Sequence, residues 1–207
     1  LLRGAGVTLA LFALVFPLSL PLGFLVTLCA NCRFKPVKWL AEAYIFVMRG
    51  TPLMLQLLVV YFGPYYLFGM QIGGTYRFTA IILGFALNYA AYFAEIYRSG
   101  IESMPVGQYE AARVLGYSKT QCFCCIIFPQ VVKRILPSIT NEVITLVKDT
   151  SLSFSLAYAE MFTIAKQIAA AQTTFIPFVV AAIFYYIFNL IVAVAMERLE
   201  KKLSYYQ

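Results

Sequence analysis

The 207-residue sequence contains no histidine. That removes the side chain that titrates nearest neutral pH and the commonest metal ligand. No serine or cysteine stands beside another plausible base, so nucleophilic catalysis lacks a partner residue. No G-x-x-x-x-G-K-[ST] stretch occurs, so no phosphate-loop ATP chemistry is expected in this chain. No catalytic residue and no metal ligand is assigned, which argues against a membrane-embedded enzyme. Repeats, low-complexity tracts and Ser-rich linkers are absent, and residues 1–207 read as a single domain. Charge is scarce too. Only 12% of residues are charged, against about 25% in soluble domains.

What fills the chain instead is apolar. Hydrophobic residues make up 62%, and the mean hydropathy is +0.80. Such a composition needs lipid as its solvent. A spanning helix requires roughly 20 mostly apolar residues, and runs of that kind occupy 7–30, 37–62, 78–97, 135–158 and 176–196. The fourth is diluted by Asn141, Glu142, Lys148 and Asp149. The runs are continuous rather than alternating, which excludes a transmembrane β-barrel. The expected fold class is all-α: a polytopic membrane protein of about five transmembrane helices.

The net charge of +7 would suit a nucleic-acid partner, but its placement argues otherwise. Eleven of the sixteen basic residues follow the first, third and fifth runs: Arg33, Lys35, Lys38, Arg98, Arg113, Lys119, Lys133, Arg134, Arg198, Lys201 and Lys202. Arg3, Arg77 and Lys166 fall on the opposite side. Arg49 and Lys148 fall inside apolar runs. The positive-inside rule then sets the N-terminus outside and the C-terminus in the cytoplasm. All five cysteines (Cys29, Cys32, Cys122, Cys124 and Cys125) lie at cytoplasmic helix ends in this topology. A reducing compartment disfavours disulfides there. Cys29 and Cys32 form a C-x-x-C, open to a redox or metal reading or to the plainer one of small residues at a membrane surface. The chain opens at Leu1 without Met, as a trimmed N-terminus would. The first run is too long for a cleaved signal peptide, and no cleavage context follows it.

Residues 63–77, rich in Gly and aromatics, read as an outward loop at headgroup level. A second outward connection, 159–175, contains an alanine run at 169–171 that suggests a short surface helix held by Phe162 and Ile164. The long polar segment, 98–134, is cytoplasmic. Pro105 suits a first helical turn and Gly116 a position just past a helix end. A helix of roughly 15 Å at 1.5 Å per residue is therefore expected over 106–115. Pro129 and Pro137 are expected to bend the chain back into the membrane. The short helix carries Glu110, Ala111, Ala112 and Leu115. Its two adjacent alanines leave a low ridge for a partner's groove, or else the helix caps its own bundle.

The polar residues within the spans define a second set. A charge facing lipid at the bilayer centre costs about 2.5–3.5 kcal/mol. Arg49, Lys148 and Asp149 together would cost about 8–10 kcal/mol on that scale, so they should face the bundle interior or a wet cavity. On a continuous helix Arg49, Pro52 and Gln56 share one face, as do Asn88, Tyr92 and Glu95. Asn141, Thr145, Lys148 and Leu152 form a stripe, with Glu142 and Asp149 beside it. These faces are read as lining a translocation cavity. Arg49 and Gln56 suit a cargo carboxylate, and Glu95, Asn88 and Tyr92 suit an amine or side chain. The competing reading is a structural lock in which Arg49, Glu95 and Asp149 pair with one another. Gly50 and Pro52 loosen the second helix and free backbone groups that must be satisfied locally.

From Glu110 the sequence runs Glu110-Ala111-Ala112, three residues, Gly116, nine residues, Ile126, one residue, Phe128, Pro129. This resembles the EAA loop of binding-protein-dependent ABC importer permeases, EAA-x3-G-x9-I-x-L-P, with Phe128 for Leu. The flanks are similar to the polar amino-acid branch of that family. Arg49-Gly50-Thr51-Pro52-Leu53 with Gln56 resembles its RGTPLLVQ stretch, and Asn88, Ala91-Tyr92 and Glu95-Ile96-Tyr97-Arg98 resemble its N-x-x-AY-x-x-E-I-x-R helix. Gly107-Gln108, Pro129-Gln130, Leu136-Pro137, Asn141-Glu142 and Lys148-Asp149-Thr150-Ser151-Leu152 extend the match over nearly the whole chain. In the first and last runs only hydropathy agrees.

The resemblance implies the permease subunit of an ATP-driven amino-acid importer in the bacterial inner membrane. Two such subunits enclose a path, each docks its EAA helix on an ABC ATPase subunit, and a solute-binding protein delivers the amino-acid substrate outside. The ATPase rocks the permease between inward-open and outward-open states. No cofactor is expected on this chain, ATP and Mg being on the partner ATPase. The pathway candidates are Arg49, Thr51, Gln56, Asn88, Tyr92, Glu95, Lys148, Asp149 and Ser151. The coupling candidates are Gln108, Glu110, Ala111, Ala112, Leu115 and Gly116. A permease for another solute on the same fold and an ATP-independent carrier or channel are the alternatives.

Overall fold

Helix α1, Leu2–Ala30, is apolar all round, and what it buries is a stripe of small residues. Thr8, Ser19, Gly23 and Thr27 recur on one face with Leu11 and Val15 between them. Between membrane helices there is no hydrophobic drive, so small residues that admit close backbone approach set the interface. The partner is α4, Gly74–Glu102. A Cβ on Gly23 would stand 2.7 Å from the Cβ of Phe93 and 3.0 Å from the Ala90 carbonyl. Thr27 donates its hydroxyl to the carbonyls of Gly23 (2.9 Å) and Ala94 (3.2 Å), so the polar group is spent inside the contact. The computed structural model describes residues 1–203, and among these α4 is the central helix. Ala80, Ile81, Phe85, Ala86, Ala91, Phe93 and Ala94 are fully buried. The last four residues of the 1–207 domain reading lie outside the described residues.

The expected second span, 37–62, is not one helix. It is α2, Lys35–Gly50, and α3, Leu53–Phe68, which meet at 115°. The cause is local. Thr51 precedes a proline, which pushes it out of the helical region, and it is extended at φ −119°, ψ 149°. Pro52 follows at φ −61°, ψ 128° and has no N–H to continue the ladder. Arg49, Pro52 and Gln56 therefore do not lie along one continuous helix face. With the bent pair counted once, four long apolar helices become five spans, and the all-α polytopic reading holds. No strand occurs among the described residues.

The connection after α4 carries α5, Val106–Val114. The short turn α6, Lys119–Gln121, then continues through a π-helical segment, Cys122–Ile127, into α7, Phe128–Asp149. The fourth span thus starts earlier than 135. Pro129 sits in the first turn of α7, where its missing N–H is harmless, and Pro137 is carried inside the helix. Regular α-helix also stops earlier, at Asp149, giving way to a 3₁₀ segment, Thr150–Leu156. Its hydroxyls explain the tightening. Thr150, Ser151, Ser153 and Ser155 each donate to the carbonyl three residues back, at 2.6–2.8 Å. Such back-bonding competes with the regular ladder. The expected surface helix is α8, Met161–Gln172, and α9, Ile176–Leu203, closes the bundle against α7 and α8.

Candidate functional site

The α2–α3 break lies at the level of Asn88, the midpoint of α4. Ending a helix inside a bundle orphans its last carbonyls, and three predicted residues satisfy them. Gln56 donates its amide to the carbonyls of Met48 (2.9 Å) and Thr51 (3.1 Å) and to the Thr51 hydroxyl (2.8 Å). Asn88, nearly fully buried, donates to Met48 O (3.1 Å) and to Gln56 Oε1 (2.9 Å). Thr51 donates back to Val47 O at 2.8 Å. Thr51, Gln56 and Asn88 are thus brought together, and they hold the break open. Tyr44 adds a hydrogen bond to the Leu87 carbonyl on the same face.

That geometry presents Arg49 at the end of α2. Its guanidinium lies 5.7 Å from the ring centre of Tyr92 and 3.4 Å from Glu95 Oε2. Glu95 is held more tightly by Arg98, at 2.6 Å and 3.3 Å to its two oxygens, and Arg98 reaches on to Glu102 at 3.3 Å. Arg49 is thus brought not to a shared face with Gln56 but against Tyr92 and Glu95, the pairing with Glu95 being the part of the structural-lock reading that occurs here. The continuation through Arg98 was not anticipated, although Glu95, Arg98 and Glu102 stand at i, i+3 and i+7, a spacing that signals pairing on a helix face.

Asp149 does not pair with Arg49 or Glu95. It accepts the Tyr89 hydroxyl at 2.7 Å. Tyr89 is buried in the α1–α3–α4 core and was not picked out, because a tyrosine among apolar residues reads as packing until its partner is seen. Glu142, half-buried, lies on the same face of α7 as Asp149, two turns before it. Asn141 and Lys148 stay exposed, and Ser151 is half-buried with its hydroxyl turned back to the Lys148 carbonyl at 2.7 Å. Arg49 on α2 and the carboxylates of α7 thus supply charges of both signs within the spans.

Glu160 is a further buried carboxylate that the sequence did not reveal. It caps α8, accepting from Phe162 N, Thr163 N (both 2.6 Å), the Thr163 hydroxyl (2.7 Å) and the Tyr185 hydroxyl (3.0 Å). Four donors converging on one carboxylate make its burial tolerable. Among the described residues no group of three or more His, Cys, Asp or Glu is placed to hold a metal ion.

The coupling candidates lie on and just after α5. Pro105 is the residue before the helix, with extended ψ of 135°, rather than part of its first turn. Gly116 adopts φ +78°. The N–H of Gly116 reaches Arg113 O and that of Tyr117 reaches Ala112 O, both at 3.0 Å, the paired bonds of a Schellman end. Of the two alanines only Ala111 faces outward. Ala112 is buried with Met104, Cys122, Ile127, Val131 and Ile135, which anchors α5 to the π-helical turn and α7. Gln108, Glu110, Ala111 and Leu115 form an exposed strip, with Gln130 donating to Gln108 Oε1 at 3.4 Å.

A bundle with one span broken beside paired charges, and a capped polar helix hung between two spans, defines a multi-pass transport protein of the membrane. Residues 5–205 match the family of binding-protein-dependent transport system inner membrane components, and the chain belongs to that family. It is 37% identical over 205 residues to the arginine transport system permease protein ArtQ of Bacillus subtilis (strain 168), covering 99% of this chain and 92% of the relative. It is 30% identical over 201 residues to the L-cystine transport system permease protein TcyB of the same organism, covering 96% and 84%. Its fold matches a crystal structure of an amino acid ABC transporter with histidines at a TM-score of 0.88 and 34% identity, covering 97% of this chain and 92% of that one.

Proposed function

We propose that the chain is the permease subunit of an ABC importer that moves amino acids into the cytoplasm by alternating access. The observation that carries the cargo class is the placing of Arg49 at the broken end of α2, against the Tyr92 ring and Glu95, in a bundle whose α7 carries the carboxylates Glu142 and Asp149. A zwitterion needs a cation for its carboxylate and acceptors for its ammonium, and these residues supply both. Arg49 takes the carboxylate in a forked contact. Thr51, Gln56 and Asn88 act by holding the break that aims it. Tyr92, Glu142, Asp149, Lys148 and Ser151 line the path. Relatives named for arginine and cystine transport support the same class.

Catalysis is assigned to a separate ATPase subunit that carries ATP and Mg, with no cofactor on this chain. The exposed strip of α5, Gln108, Glu110, Ala111 and Leu115, together with the stop at Gly116, is the surface proposed for that subunit. A second permease subunit and an external solute-binding protein complete the assembly in a bacterial inner membrane. The basic residues after the first, third and fifth spans put the N-terminus outside and the C-terminus in the cytoplasm.

The test is uptake of radiolabelled L-arginine, L-glutamine and L-cystine by the assembled transporter in proteoliposomes. At least one should accumulate on ATP addition, and Arg49→Ala should abolish that uptake in correctly inserted protein. Glu110→Lys and Gly116→Asp should leave the permease folded while stopping ATP-driven transport. Normal uptake in Arg49→Ala would remove Arg49 from the path.

A further inference from the structure

We propose that Arg49 and Glu95 form a latch that cargo opens: an incoming carboxylate draws Arg49 away from Glu95, and the freed α2 end is thereby uncoupled from the foot of α5. The proposal rests on the reading that the cargo carries a carboxylate.

The two ends of the Glu95 carboxylate are held unequally. Arg98 contacts both oxygens, at 2.6 Å and 3.3 Å, whereas Arg49 makes a single contact at 3.4 Å. When Arg49 leaves, Glu95 keeps its ion pair, so no carboxylate is stranded without a partner. The reverse does not hold, because loss of Arg98 would remove the tighter of its two cations. Arg49 is the detachable member, and its side chain is 41% exposed while that of Glu95 is 24% exposed. The Tyr92 face, 5.7 Å away, gives the guanidinium a second partner beside Glu95.

Arg49 is the penultimate residue of α2, and its side chain projects from the helix end while the Gly50–Thr51–Pro52 break behind it is held by Gln56 and Asn88. From Glu95 the ion-pair chain runs through Arg98 to Glu102, the last residue of α4. Arg134 of α7 bonds the carbonyl and hydroxyl of the next residue, Ser103. Met104 is buried beside Ala112 of α5. A contact broken at Arg49 is thus felt at a body that includes the base of α5, about 10 Å along α4 at 1.5 Å per residue.

The experiment is ATP hydrolysis by the assembled transporter in nanodiscs, without cargo and with binding protein loaded with L-arginine, L-glutamine or L-cystine. Glu95→Gln keeps the side-chain size and removes the charge that competes for Arg49. It should raise cargo-free hydrolysis at least about fivefold, the lower end of a coupling between sites. Arg49→Gln should raise cargo-free hydrolysis likewise and lose uptake, and it serves if Glu95→Gln fails to assemble. L-argininamide, which lacks the carboxylate, should not stimulate the wild type. Wild-type cargo-free rates in the variants that assemble overturn the latch, as does stimulation by L-argininamide equal to that by L-arginine. A raised cargo-free rate in both variants, with none of the three amino acids stimulating the wild type, leaves the latch standing and removes the amino-acid reading.

Discussion

Tyr89 donates its hydroxyl to Asp149 Oδ2 at 2.7 Å, joining the middle of α4 to the last regular turn of α7. The bond sits where α7 gives way to its 3₁₀ continuation, so it fixes the depth at which that helix changes pitch. A hydroxyl bonded to a charged group contributes about 1.5–3 kcal/mol. Tyr89→Phe keeps the ring and removes the bond. Its unfolding midpoint in detergent should fall accordingly, whereas Tyr92→Phe, whose contact with Arg49 runs through the ring face, should stay within the error of the wild type.

Glu160 joins three elements. Its oxygens cap α8 and accept from Tyr185 of α9, and the N–H of the next residue, Met161, donates to Thr8 of α1 at 3.3 Å. Ordinary N-cap losses cost about 0.5–2 kcal/mol. Glu160→Gln should exceed that range, because an amide can turn only one acceptor toward donors on both sides and leaves a buried N–H₂ facing N–H groups. Thermal unfolding and protease cleavage within 157–176 are the readouts. A loss no larger than that of an exposed cap would refute the shared role of the carboxylate.

Five apolar runs, a polar segment between the third and fourth and a helix between Pro105 and Gly116 were all legible, because lipid burial and backbone punctuation leave periodic or local signatures. The split of the second span was half legible. Gly50 and Pro52 announce weakness, but the 115° turn depends on Asn88 reaching the Met48 carbonyl and Gln56, contacts between residues 40 and 32 positions apart. The site shows the same division. Asn88, Tyr92 and Glu95 share a face by spacing alone, whereas the bonds of Tyr89 to Asp149 and of Tyr185 to Glu160 run between helices and leave no local signal. Ala111 and Ala112 read as one ridge, and only the fold turns Ala112 inward.

Gly23 has no room for a side chain. A Cβ there would press the Phe93 Cβ at 2.7 Å and the Ala94 nitrogen at 3.2 Å, both on the unyielding central helix. Gly23→Val should therefore separate α1 from α4, with a cost of about 1–3 kcal/mol typical of overpacking. Gly6→Val, on the same helix with nothing within 4 Å, should be tolerated. The recovery of monodisperse protein on size exclusion separates the two.

Gly116 and Gly69 make a matched pair for testing the coupling surface. Both adopt left-handed backbone, at φ +78° and φ +64°, and a Cβ on either meets nothing within 4 Å. Alanine at each position therefore carries the same kind of penalty, about 1–2 kcal/mol of backbone strain, with no steric clash to confuse it. Gly69 ends α3, whereas Gly116 ends α5 and sets the angle at which the strip of Glu110 and Ala111 leaves the π-helical turn. Gly69→Ala and Gly116→Ala should lower the unfolding midpoint by similar amounts. Only Gly116→Ala should lower ATP hydrolysis stimulated by loaded binding protein. Equal stimulation in the two variants would show that the backbone at Gly116 terminates a helix without orienting it toward the ATPase.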